Sequence, residues 1–436
     1  MKLSLKAIML SGAAFATLGT ASAETDVELE ARIAALEELV ASLSAQLAEE
    51  RAETDADIVR LEAAQSAEAA PAAAPANGMM LGETNVTVGG FIDMDAHVTN
   101  VSDGAIGSSS IARDFYIPGA IPTGGEGSTT TDLTAEASRI FIAGNRDVGG
   151  RQVSGYFEMD FLGSVQGNER VSNSFSPRLR RAYLDFDGLR FGQDWSTFQN
   201  TSAIPESASF LVLSDGMIFM RQPMVRITRG NWQFALENGN ATVTPVGGGR
   251  VEADSNVLPD LVGRYNFSGD FGNVSVAALA RQLRYETTGI EEETFGYGIS
   301  VSGRVNTGGR DDIRFSLTGG EGIGRYIGLN AANGAALDPA TGELEAIPSV
   351  GGLIAWRHPF GETARINIGY SGLFIDNPDF VPTSMTQSVQ SVYSAVLWDV
   401  APRVTMGAEV LFGTRETEAG TSGDLSRFTF STKYAF

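Results

Sequence analysis

From Val86 onward, apolar and polar side chains alternate in segment after segment. Val86, Val88, Ile92, Met94 and Val98 share one parity, and Asp93, Asp95 and His97 share the other. Val153, Phe157, Met159 and Phe161 oppose Gln152, Ser154, Glu158 and Asp160 in the same way, and Phe428, Phe430 and Tyr434 oppose Arg427, Thr429, Ser431 and Lys433. Successive side chains of a β-strand point to opposite faces, so each segment predicts a strand whose two faces meet different solvents. Further strands carry Phe295, Tyr297, Ile299 and Val301; Ile313, Phe315 and Leu317; Ile366, Ile368 and Tyr370; and Val404, Met406, Val410 and Phe412.

The punctuation between strands is itself regular. Seven short turns are predicted near Asp147–Gly150, Asp187–Gly188, Arg229–Asn231, Ser268–Asp270, Thr307–Arg310, Pro359–Gly361 and Ala401–Pro402, where Gly, Asn, Asp or Pro supplies turn geometry. Eight longer loops are predicted around 100–133, 164–177, 196–219, 239–257, 286–292, 322–347, 375–386 and 414–423. Seven turns and eight loops join sixteen strands, which predicts an all-β, sixteen-stranded antiparallel transmembrane barrel over residues 84–436. A soluble solenoid or propeller would also alternate, but the terminal aromatic strand and the short-turn, long-loop rhythm point to the barrel.

A different period precedes it. Leu29, Ile33, Leu36, Val40, Leu43 and Leu47 step by four and three, a heptad seam that resumes at Ile58 and Leu61 after one stutter. Residues 24–62 are therefore predicted to form an α-helical coiled coil, a rod of about 50 Å at 1.5 Å per residue. Its β-branched and Leu core positions favour two strands by the packing rule. Residues 1–23 carry Lys2, Lys6, an apolar run and Ala21-Ser22-Ala23, the pattern of an export signal. Residues 63–83, rich in Ala and Pro, are expected to be a linker. The coil is expected to lie in the periplasm, where it could contact the cell wall or a periplasmic partner.

Composition narrows the function. The chain has no cysteine, 51 glycines, 15 prolines and a net charge of -22. Residues 24–83 hold fourteen acids and three arginines, half of the net charge, which argues against a nucleic-acid partner. Past the signal, Lys433 is the sole lysine, so nearly every cation is an arginine. Parity places Arg139, Arg181, Arg226, Arg264, Arg281, Arg304, Arg314, Arg357, Arg365, Arg403 and Arg427 on the watery face. A guanidinium keeps its charge and offers a planar fork to carboxylate or phosphate, so a row of them would lower the barrier for anions in a narrow passage. Pairing with lumenal acids such as Glu158, Asp160, Asp185, Glu237 and Glu409 would instead make them wall-stiffening groups. The 196–219 loop, with Pro205-Glu206, Phe210 and Asp215-Gly216, is the candidate constriction, Glu206 and Asp215 being expected to face Arg139, Arg181 and Arg226.

Signals for chemistry are weak. Gly320-x-Gly322-x-Gly324 lacks the strand-to-helix context of a dinucleotide site, and no Gly-x-Ser-x-Gly elbow occurs. His97 beside Asp93 and Asp95 reads as lumenal wall rather than as a cation site. No catalytic residue, cofactor or metal is expected.

Arg178-Leu179-Arg180-Arg181-Ala182-Tyr183, Gly192-Gln193-Asp194-Trp195-Ser196-Thr197-Phe198 and Phe219-Met220-Arg221-Gln222-Pro223 resemble motifs of the DcaP-like family of outer-membrane porins. Ala137-Ser138-Arg139-Ile140 and Phe157-Glu158-x-Asp160-Phe161 are similar to segments shared more widely among porins. The resemblance implies a homotrimer in the outer membrane, with a helical stalk, passing small anions and dicarboxylates in particular. It carries constriction roles onto Arg180, Arg181 and Arg221, although strict parity turns Arg180 outward unless a bulge intervenes. A phosphate-selective porin, whose expected lysine-rich lumen is missing here, and a structural envelope tether acting through the coil are the rival expectations.

Overall fold

The computed structural model describes residues 78–163, 173–287 and 289–436. The predicted signal, the predicted coiled coil and the linker up to residue 77 lie outside the described residues. The chain is an all-β, closed, sixteen-stranded antiparallel barrel. Its strands are β1 (Thr84–Val101), β2 (Arg139–Val148), β3 (Arg151–Asp160), β4 (Arg178–Phe186), β5 (Leu189–Trp195), β6 (Arg221–Arg229), β7 (Trp232–Glu237) and β8 (Asp260–Gly269). They continue as β9 (Gly272–Thr287), β10 (Ile290–Gly308), β11 (Asp311–Glu321), β12 (Pro348–Phe360), β13 (Ala364–Ile375), β14 (Thr386–Ala401), β15 (Val404–Thr417) and β16 (Ser422–Ala435).

Closure rests on β1. It pairs with β16 from Phe91↔Ala435 to Val101↔Leu425, and on its other side with β2 over Asn85–Phe91 and with Ser128–Thr134 over Asp95–Val101. The last residue is stitched in as well, Phe436 N donating to Gly90 O at 3.0 Å. No sheet edge is then left to present unpaired N–H and C=O groups to hydrocarbon. Pairing begins slightly before the predicted start, since Met79–Leu81 folds back on Thr84–Val86.

The seven short turns form where predicted. At the β4–β5 turn, Asp187 and Gly188 have φ of 50° and 77°, the left-handed pair that a two-residue hairpin needs. Two of the eight predicted long loops are corrected. The 286–292 segment is a hairpin tip, with β9 and β10 paired up to Thr287↔Ile290, and β15 and β16 run to Thr417 and Ser422. β9 and β10 hold 16 and 19 residues, roughly 55–65 Å at a strand's rise, so they project well past the hydrocarbon layer and their alternation continues into water.

Outside, the apolar parity is exposed as expected: Val88, Ile92, Met94 and Val98 on β1, and Phe428, Phe430 and Tyr434 on β16. Inside, Asp93, Asp95, His97, Glu158, Asp160, Thr429 and Ser431 are buried. The lumenal face is nevertheless not polar throughout. Leu353, Ala355, Tyr393, Ala395, Leu411 and Leu425 point inward and are buried against Tyr116, Leu211, Val212, Leu213 and Met217. Those partners come from the 102–127 and 196–220 loops, which fold into the barrel, and Ile323, Tyr326 and Ile327 of the 322–347 loop pack beside Phe198 and Ile218. Each fully buried Leu or Ile in such a cluster contributes about 1.5–3 kcal/mol.

The 196–220 loop thus lies inside, as predicted. It is bridged to the 322–347 loop by Phe219 N donating to Tyr326 O at 3.1 Å and Gly328 N to Met217 O at 3.2 Å. It touches the far wall at Gly216, where an added Cβ would come within 2.2 Å of the backbone of Gly352. A Gly216→Val variant is expected to keep a heat-modifiable barrel on unheated gels while its loop is pushed off the wall, giving larger or noisier single-channel conductance. Wild-type conductance in that variant would contradict the placement.

Candidate functional site

The lumenal face of β2–β6 is a lattice of guanidinium and carboxylate groups built on one irregularity. Glu158 pairs with Arg181 but Met159 pairs with Leu179, so Arg180 is an inserted residue on β4. This bulge turns Arg180 inward beside Arg181 and overrides strict parity. Arg180 is fully buried, donating from Nε to Glu158 Oε1 at 2.6 Å and from Nη1 to Asp160 Oδ2 at 2.7 Å. Arg178 grips Asp160 with two parallel bonds of 2.8 Å.

Asp194 is the second node. It accepts from Arg181 Nε at 2.7 Å, from Arg226 Nη2 at 2.7 Å, and from Arg190. One carboxylate beneath three guanidinia leaves a local positive excess even though Asp185 takes a second bond from Arg190. Aromatic faces share the load: Arg181 lies over Tyr156 at 4.7 Å and Arg190 over Tyr183 at 3.7 Å, with the two tyrosine rings stacked at 5.4 Å. Arg221 lies 4.8 Å over Trp195, beside a run of rings in which Trp195, Phe219, Phe210 and Phe115 are successive neighbours.

Across the lumen the 196–220 loop is anchored by its two acids, though to partners other than those predicted. Glu206 faces Arg365 and Arg357 on the opposite wall, accepting at 2.8 and 3.3 Å, and Asn367 at 3.4 Å. Arg139, Arg181 and Arg226 are occupied elsewhere, because Glu158 and Asp194 on adjacent strands reach them first. Among the described residues Asp215 meets no arginine: it accepts from Tyr116 Oη at 2.7 Å and from Ser391 Oγ and is buried within the loop core. A third tie joins Glu409 to Ser209 Oγ at 2.6 Å and Ala208 N at 2.9 Å.

The remaining predicted arginines divide by position. Arg281 salt-bridges Asp260 at 3.3 Å and donates to Gly322 O and Asn240 O, so it clamps external loops. Arg264 supports the root of the constriction loop by donating to Gln199 O. Arg314 joins Asp312 at 3.0 Å and donates to Ile204 O at 2.6 Å. Arg304 Nε is buried and has no hydrogen-bond partner among the described residues.

Beneath the loop, on the side of the short turns, lies a cavity of about 220 Å³. Arg139, Arg304, Arg314, Arg403 and Lys433 line it against Asp93 and Glu206, with Thr201, Ser202, Ser207, Ser209 and Thr405 adding hydroxyls. Five cations thus face two acids across this space. Lys433, Arg178, Arg190, Arg357 and Arg365 were not singled out as site residues in the sequence. Parity alone placed Lys433, Arg357 and Arg365 inside, and only the fold shows what they touch. No group of three or more His, Asp and Glu suited to a metal occurs among the described residues.

Glu206→Gln removes the carboxylate that Arg357 and Arg365 share and leaves both guanidinia without it. Truncating one side of a buried ion pair costs about 3–5 kcal/mol, here drawn from the anchoring of the loop. Amide exchange across 200–216 is expected to rise sharply while the strands stay protected, and unchanged exchange would show the anchor to be idle.

The family model of the DcaP outer membrane protein matches residues 61–436. The crystal structure of the outer membrane channel DcaP of Acinetobacter baumannii is similar at 22% identity and a TM-score of 0.69, covering 82% of this chain and 99% of that one. The anion-selective porin from Comamonas acidovorans aligns at 13% identity and a TM-score of 0.51, covering 81% of this chain and 100% of its own. OmpT of Vibrio cholerae aligns at 11% and 0.50, covering 83% and 100%. At these identities the solved structures support the fold alone. No curated protein matches the chain.

Proposed function

Because the chain belongs to the DcaP outer membrane protein family, a family of outer-membrane channels, we infer that it is a passive diffusion porin preferring small anions, dicarboxylates in particular. The observation that carries the reading is the charge imbalance at the inner cavity, five cations against two acids. Solutes move down their gradient and no bond is made or broken. An anion entering a narrow passage sheds part of its hydration shell, and fixed guanidinia replace those contacts without reorganising. Arg304 and Arg314 line this cavity and are the guanidinia we assign to that contact. A dicarboxylate can engage two guanidinium forks at once, which a monovalent inorganic anion cannot. The lattice of Arg180, Arg181 and Arg226 on its acids holds the wall rigid and keeps its net sign positive.

A homotrimer is part of the same proposal, as the family resemblance implies. β5 and β7 hold only 7 and 6 residues, fewer than the about 9–11 of a strand that crosses the hydrocarbon alone, which supports a protomer contact on that side. We also propose that residues 24–62 form a periplasmic coiled-coil stalk.

Zero-current potentials in planar bilayers across a potassium chloride gradient test the ion preference. Chloride is expected to be favoured over potassium, added succinate to depress chloride current, and an Arg304→Gln/Arg314→Gln variant to bring the permeability ratio several-fold closer to one. Potassium preference in the wild type would overturn the proposal.

A further inference from the structure

The outward face of β11 and β12 is apolar through Leu317, Val350 and Ile354, and changes character toward the short turns. By the same parity, Asp311 of β11 and Trp356 and His358 of β12 point outward. They form one unit. His358 Nδ1 lies 2.9 Å from Asp311 Oδ1, and a carboxylate there makes Nδ1 the protonated nitrogen. The indole Nε1–H of Trp356 donates to Asp311 Oδ2 at 3.2 Å. The Trp356 and His358 rings stack at 5.1 Å with a 25° angle between planes. Arg310, next in the chain, donates from Nη1 to Gly361 O at 3.1 Å and so ties the β10–β11 turn to the β12–β13 turn.

The level of this unit is fixed by its neighbours. Trp232, Tyr265, Phe267, Trp398 and Tyr434 each sit within a few residues of a short turn on the outward parity, forming the aromatic girdle that marks a membrane's headgroup zone. Asp311 and His358 keep 25% and 43% of their side chains exposed there. Asp311 holds the imidazole by Nδ1, which turns Nε2 to the exposed edge of the ring, where a protonated imidazole donates. Arg310, next to Asp311 in the chain, keeps guanidinium donors beyond the one given to Gly361 O. An imidazole edge, a guanidinium and an indole at this depth match a phosphate diester carried on a glycerol backbone.

We propose that Arg310, Asp311, Trp356 and His358 form a binding site for the phosphodiester headgroup of a phospholipid in the membrane leaflet at the short-turn end of the barrel. His358 and Arg310 donate to the phosphate oxygens, Asp311 orients the imidazole, and Trp356 packs against the glycerol region. The site is on the opposite side of the wall from the lumen, so it stands apart from the ion preference argued above.

Native mass spectrometry of the full chain in detergent, supplied with phosphatidylglycerol or with phosphate-free diacylglycerol of the same acyl chains, tests it. Phosphatidylglycerol is expected to survive activation that strips diacylglycerol, and an Arg310→Gln/His358→Gln variant with normal heat-modifiability to retain about fivefold less of it. An excess of inorganic phosphate is expected to leave lipid retention unchanged. Equal retention in the variant, equal retention of diacylglycerol, or displacement by inorganic phosphate would each overturn the lipid assignment. If the double variant does not assemble, His358→Gln alone serves, with the same direction of loss expected and wild-type retention counting against the site.

Discussion

Backbone N–H and C=O groups in hydrocarbon find no water, and this constraint governs the rest of the molecule. It is met by circular pairing, in which β1 closes on β16 and the carboxyl-terminal Phe436 bonds back to Gly90. Closure fixes alternation, and alternation sends roughly every second side chain into a confined space. Any charge placed there must be paired, solvated or held over an aromatic face. The β2–β6 wall uses the first and the third, with Glu158, Asp160 and Asp194 each shared among guanidinia and the Tyr156 and Tyr183 rings beneath two of them.

The same constraint explains the anchored loop. A segment folded into the bore must satisfy its own backbone and also find counterparts on the wall. Glu206 with Arg365 and Arg357, Glu409 with Ser209 and Ala208, and the contact of Gly216 with Gly352 fix it at three places on the far side. An element held this way acts as a fixed partition rather than a gate. The loop narrows the passage, and its Glu206 is held by Arg365 and Arg357 of the wall.

Much of the fold was legible because its determinants are local. Phe428, Phe430 and Tyr434 declare the outer face by spacing alone, and Asp187-Gly188 declares a hairpin by its tolerance of positive φ. What was not legible depends on residues distant in the chain. The bulge at Arg180 exists because Asp160 and Glu158 on the neighbouring strand hold both it and Arg178, and a strict period of two carries no trace of it. Leu353 and Ala355 are apolar yet face inward because the 196–220 loop covers them. The predicted 286–292 and 414–423 loops are hairpin tips because polar strands beyond a membrane look like loops in composition. At the site, the sequence identified which arginines enter the lumen but not which acids would meet them, since Glu206 crosses the bore to strands more than a hundred residues away.

The central claim is that neighbouring residues on one strand meet different solvents, water within and hydrocarbon outside. The chain has no cysteine, so single substitutions on β10 and β15 can be probed by a charged, water-soluble thiol reagent added during conductance recording. Cysteine at Arg304 and Thr405 is expected to react and to change conductance, while cysteine at Val301 and Val410 leaves the current untouched. Current changes from the second pair, or none from the first, would contradict the account.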